Sequence, residues 1–187
     1  MPLLQTRADA SAWGYGFLGA TASIGNFYQI SQLSPSAVST VTFSSIPSTY
    51  KSLQVRFNLV TSATSQSFKF QFNSDTSTSN YANHWLFGTA STAGATGNAS
   101  GVYGYILVAD SGSLGTYPNV GIVDIIDYAN ANKNKTVKSF VGANQNTSTG
   151  YVELGSGVWL STAAITSLTI AIPSGTFTGT ITLYGAN

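Results

Sequence analysis

Between residues 51 and 60 the apolar set Leu53, Val55, Phe57 and Leu59 alternates with Ser52, Gln54, Arg56 and Asn58. A period of two puts each set on its own side of a pleated strand, so one face belongs in a core and the other in water. Phe68, Phe70 and Phe72 alternate with Lys69 and Gln71 after the turn-rich residues 61–66, and the two segments read as neighbouring antiparallel strands. The same pattern predicts strands over 27–33, 38–43, 85–89, 102–108, 120–128, 136–142, 151–160, 166–172 and 176–184. About eleven short strands are too many for one twisted open sheet, and turn residues every ~8–12 positions predict two antiparallel sheets packed face to face. The expected fold is all-β, an antiparallel β-sandwich of jelly-roll type.

Some segments stand apart. Residues 120–128 (VGIVDIIDY) are apolar on both sides of the pleat, which predicts a strand covered on both faces. Residues 73–83 and 89–101 are polar and aperiodic, and read as exposed loops; 129–135 (ANANKNK) read as a polar turn. Residues 8–23 (ADASAWGYGFLGATAS) are small residues punctuated by Trp13, Tyr15, Phe17 and Leu18, with Gly14, Gly16 and Gly19 set against a helix. This predicts an extended N-terminal arm over 1–25 and a sandwich domain over 26–187, with those four apolar residues as an assembly interface. Fully stretched, about 25 residues span ~80 Å, enough to cross onto a neighbouring subunit.

Composition supports the strands and narrows the partners. The 187 residues include 43% hydrophobic, 12% aromatic and only 7% charged positions, with 19 glycines and a single Met. Such a palette favours strands and turns over helices, and the apolar content is that of a folded chain. The net charge of +1 lacks the basic stripe that phosphate backbones require, so no nucleic acid is expected. No stretch approaches the ~20 apolar residues of a membrane-spanning helix, and residues 1–7 (MPLLQTR) do not read as a secretory signal. The absence of Cys removes disulfides, thiolate metal sites and Cys nucleophiles. Near-neutral charge offers little repulsion against self-association.

Candidate chemistry is thin. The lone His84 has no partner fixed by spacing, and no serine sits on a G-x-S-x-G elbow. The acids Asp9, Asp75, Asp110, Asp124, Asp127 and Glu153 are scattered over arm, loops and strands, so no facing carboxyl pair is indicated. Asn73, Asp75 and Ser77 lack the spaced acids of a calcium loop, and Gly155-Ser156-Gly157 reads as a turn or bulge. No catalytic residue, metal or cofactor is expected. Trp159 between Val158 and Leu160 belongs in the core, whereas His84 and Trp85, at a loop-to-strand junction, are the candidate contacts for a glycan or protein partner.

Four segments carry a resemblance: 42–58 (TFSSIPSTYKSLQVRFN), 72–88 (FNSDTSTSNYANHWLFG), 123–142 (VDIIDYANANKNKTVKSFVG) and 155–185 (GSGVWLSTAAITSLTIAIPSGTFTGTITLYG). Together they resemble small structural proteins in virions of tailed bacteriophages of cyanobacteria and other aquatic bacteria. The likeness spans most of residues 40–185 and excludes the arm. It implies a non-enzymatic β-rich component of the particle, and brings no catalytic or binding residues with it. The leading expectation is a capsid-decorating, or cement, protein on the capsid exterior. Its partners would be the major capsid protein or other virion proteins, and it would form a homo-oligomer, with a trimer favoured. The alternative is a tail-fibre or baseplate adhesin binding host surface glycans near His84 and Trp85.

Overall fold

The computed structural model describes residues 27–64, 66–89, 91–101, 104–114, 116–144 and 150–187. Apart from a single 3-10 turn at Thr78–Asn80, the regular structure among them is strand: β1 (Phe27–Leu33), β2 (Thr40–Phe43), β3 (Ser52–Thr61), β4 (Gln66–Phe72), β5 (Tyr81–Thr89), β6 (Ala93–Asn98), β7 (Ile106–Leu114), β8 (Asn119–Ile126), β9 (Lys135–Asn144), β10 (Gly150–Trp159), β11 (Leu168–Ala171) and β12 (Phe177–Ala186). A large eight-stranded sheet runs in the order β1-β12-β3-β8-β9-β10-β5-β6, and a small four-stranded sheet in the order β2-β11-β4-β7. Neighbours pair antiparallel throughout. The chain passes repeatedly from one sheet to the other, and the fold is the expected antiparallel β-sandwich of jelly-roll type.

Alternating residues of the two sheets meet in one core. Phe57 of the large sheet meets Phe68 of the small one edge-on at 5.2 Å between ring centroids, and Phe68 meets Phe177 at 5.6 Å. At the other end Phe72, Tyr81 and Trp159 form a second ring cluster, 5.5 Å from Phe72 to Trp159 and 6.4 Å from Tyr81 to Trp159. Beneath it lies Asp75, whose Oδ2 accepts from Trp159 Nε1 at 2.7 Å and Asn80 Nδ2 at 2.8 Å, while Oδ1 accepts from the Ser77 amide at 2.9 Å. Burial pushes the Asp75 carboxyl up, but these hydrogen bonds outweigh it and hold the group below its usual 3.8. Lys135 is fully buried at the start of β9, and its ammonium donates to the carbonyls of Asn130, Lys133 and Thr162 at 2.6, 2.6 and 3.1 Å. Burial pushes this ammonium below its usual value, against the opposing pull of Asp127.

Several expectations about local structure need correction. β3 and β4 are not neighbours; the turn between them crosses the sandwich, so their apolar faces look at each other instead of lying side by side. β6 forms where a loop was expected, because the open edge of β5 offers backbone pairing that needs no apolar pattern. β5 starts at Tyr81 and buries Tyr81 and Asn83, within the stretch expected to be an exposed loop. The strand expected over 102–108 lies instead at Ile106–Leu114. Gly155 and Gly157 sit inside β10 instead of in a turn: a Cβ on Gly157 would stand 2.8 Å from Ile106 Cδ1. They let the sheets approach closely. The arm expected over 1–25, with Trp13, Tyr15, Phe17 and Leu18, lies outside the described residues.

Candidate functional site

The outer face of the large sheet, the side turned away from the core, is laid out in rows by the strand register. One row is polar: Gln54, Asp124, Lys138, Ser156 and His84 stand opposite one another across β3, β8, β9, β10 and β5. The next row runs Arg56, Ile122, Phe140, Leu154 and Leu86 across the same strands. A third runs Asn58, Val120, Gly142, Val152 and Gly88. Phe140 is 56% exposed, Leu86 55%, Val120 and Leu154 52%, Val152 44% and Ile122 43%. In-register apolar side chains on adjacent strands touch laterally, so these form one continuous patch. Contiguous patches of this kind are uncommon on monomers and mark sites of association.

This overturns the expectation that residues 120–128 are covered on both faces. Val123 and Ile125 point into the core, while Val120, Ile122 and Ile126 point outward into an apolar surface that no described element covers. In β10 the usual polarity is reversed: buried Glu153 accepts from the Tyr151 hydroxyl at 2.8 Å, while Val152 and Leu154 on either side face out.

The rim is more polar and ordered. Arg56 Nε donates to Gln54 Oε1 at 2.6 Å, and Gln54 Nε2 donates to Asp124 Oδ1 at 2.7 Å. The Arg56 guanidinium lies between two rings, 5.0 Å from the centroid of Phe27 and 4.9 Å from that of Tyr184. Its charge is thereby placed at the edge of the apolar rows, with no carboxylate within ion-pair distance among the described residues. At the far rim His84, Leu86, Ala95, Lys138, Leu154 and Ser156 border an open depression of about 550 Å³. The His84 ring lies against Gly97, where a Cβ would stand 2.6 Å from its Cδ2.

The structure separates the two residues expected to make a joint contact. His84 is exposed on the outer face, whereas Trp85, one residue on, points to the interior and is 6% exposed. The Trp85 Nε1 has no hydrogen-bond partner among the described residues. No group of three or more His, Cys, Asp or Glu is placed to hold a metal ion among the described residues. Four acids have structural partners: Asp75 under Trp159, Asp124 with Gln54, Asp127 with Lys133 and Glu153 with Tyr151. In β8 the apolar second side was legible but read as covered; in β9, β10 and β5 its signal was the apolar residues in the outward phase, Phe140, Val152, Leu154 and Leu86.

Comparisons with known proteins add little. No protein-family model and no curated protein matches the chain. Among solved structures, a crystal structure of Caenorhabditis elegans galectin LEC-6 aligns at 14% identity over 86% of this chain and 97% of that one, with a TM-score of 0.37. A likeness that distant carries no argument about function, and none of these comparisons links the chain to bacteriophage virion proteins.

Proposed function

We propose that this chain is a non-enzymatic structural protein of a tailed-bacteriophage virion, a capsid-decorating or cement protein that works by burying the outer face of its large sheet against protein neighbours in the shell. The observation that carries the proposal is the in-register apolar patch of Ile122, Phe140, Leu154 and Leu86 with Val120 and Val152. Completing the burial of one such side chain is worth up to about 1.5–3 kcal/mol, so several together offset much of the entropic cost of association. The low charge of the chain keeps the desolvation cost of docking small. The mechanism is linkage, since a protein that binds only the assembled shell stabilises it by mass action. A glycan-binding appendage has less to work with on this face, because Trp85 points inward.

Electron microscopy of intact particles with gold-labelled antibody against the chain tests the proposal. Dense, even labelling of the head is expected. Labelling confined to the tail tip supports the adhesin alternative, and unlabelled particles overturn the virion assignment altogether.

A further inference from the structure

We propose that the apolar outer face of the large sheet receives residues 13–18 of a second copy of this chain, so that copies link head to tail through their N-terminal segments. This rests on the structural-protein reading above and names the neighbour that fills the face.

The chemistry of the two surfaces matches. Residues 10–50 carry no charged side chain, so burying part of this stretch strands no ion. Trp13, Tyr15 and Phe17 alternate with Gly14 and Gly16. In extended backbone this sets three rings along one side at a spacing of ~7 Å and leaves the other side nearly bare. The receiving rows span β8, β9, β10 and β5, about 14 Å from first to last, which is the length of that ring series. In the polar row beside them Ser156 and His84 offer acceptors to an indole N–H or a phenol O–H, and Lys138 offers a donor to a phenol oxygen.

The direction of β1 favours a second copy as the occupant. Phe27 pairs with Ala186, which pairs with Ser52, which pairs with Ile126, so the strand begins at the end of the sheet away from Val120 and Val152. From there β1 runs toward the apolar rows, reaching Leu33 opposite Ile181. The chain thus enters β1 at the end of the sheet away from these rows, and β1 itself runs back toward them. The link from Leu18 to Phe27 spans up to ~30 Å, ample to reach an adjacent domain. Arm-to-face contacts are heterologous, so they close into a ring when the rotation permits, as a trimer does.

The chain contains no Cys, so an introduced pair reports a single contact. Full-length Phe17→Cys protein is mixed with full-length Leu154→Cys protein, oxidised and separated without reductant. The mixed disulfide should exceed by about tenfold that formed with a Thr42→Cys control on the outer face of the small sheet, since the bond needs Cα atoms within about 7 Å. Adding Phe140→Lys to the receiving chain should return the yield to background while circular dichroism stays unchanged. No mixed product above control overturns the proposal. So does preferential linking of Leu154→Cys chains to each other, which marks a face-to-face pair. An internal bond in monomeric Phe17→Cys/Leu154→Cys protein overturns it as well, because the arm then covers its own sheet. These measurements use purified protein, so a negative result with the chain still found on phage heads removes only this inference; a positive one with unlabelled particles removes only the virion assignment.

Discussion

At the scale of single residues, Asp75 shows how an acid in a polar loop becomes structural. The segment around it offers oxygens without the spaced acids of a calcium loop, and its carboxylate is occupied by an indole N–H, an amide side chain and a backbone amide. A carboxyl held below its unfolded value contributes stability above that unfolded value, and loses it as pH falls through the lowered folded one. Asp75→Ala leaves Trp159 Nε1 buried without its acceptor and should cost about 2 kcal/mol at neutral pH in urea unfolding. The gap between variant and parent should narrow as pH falls below about 4, where the carboxyl of the unfolded chain begins to protonate, and go on narrowing through the lowered folded value, while the neutral carboxyl still accepts from the indole and keeps part of the gap. A gap that is constant down to pH ~2 would detach the effect from this carboxylate. Trp85 teaches the opposite lesson: composition marks an aromatic beside a loop as available, and one step of the pleat decides that it is not.

At the scale of elements, strands with a clean apolar and a clean polar side were legible, and β3 and β4 were found nearly to the residue. Which sheet each joined was not, because alternation reports a buried face without saying what buries it. β6 (AGATGN) carries no period at all and exists through its pairing with β5, with Gly94 and Gly97 leaving room for the rings of Phe87 and His84. The polar 129–135 turn was legible as a turn, but not its anchor. Lys135 ties that turn to the loop after β10 through three carbonyls, a tertiary contact that no local pattern encodes. Replacing Lys135 with Met keeps most of the volume and leaves the carbonyls of Asn130, Lys133 and Thr162 without that donor. Stability should fall by about 2–4 kcal/mol, seen as a lower urea midpoint at unchanged slope. A midpoint within experimental scatter of the parent would show that water takes the place of the ammonium.

At the scale of the whole molecule, the described residues form a sandwich with one layer too few for its apolar content. The large sheet is apolar on both sides over β8, β9, β10 and β5, and the small sheet covers only one of them. Two kinds of contact are available to a partner on the uncovered side: the apolar rows, or the charged rim of Arg56, Lys138 and Asp124. Salt separates them. At about 1 M sodium chloride the Debye length is near 3 Å, so contacts between exposed charges are largely screened. Apolar association is not weakened by screening, and sulfate strengthens it through exclusion from the protein surface. Sedimentation of the full chain should therefore show its association persisting through 1 M chloride and tightening in ammonium sulfate of equal ionic strength. Phe140→Lys with Leu154→Lys should abolish that association while shifting the unfolding free energy by no more than about 0.5 kcal/mol, since both side chains are already half in water. Dissociation on adding chloride would move the contact to the rim. A large loss of stability in the double variant would mean that the face is part of the folded core of a single chain, covered by its own N-terminal segment.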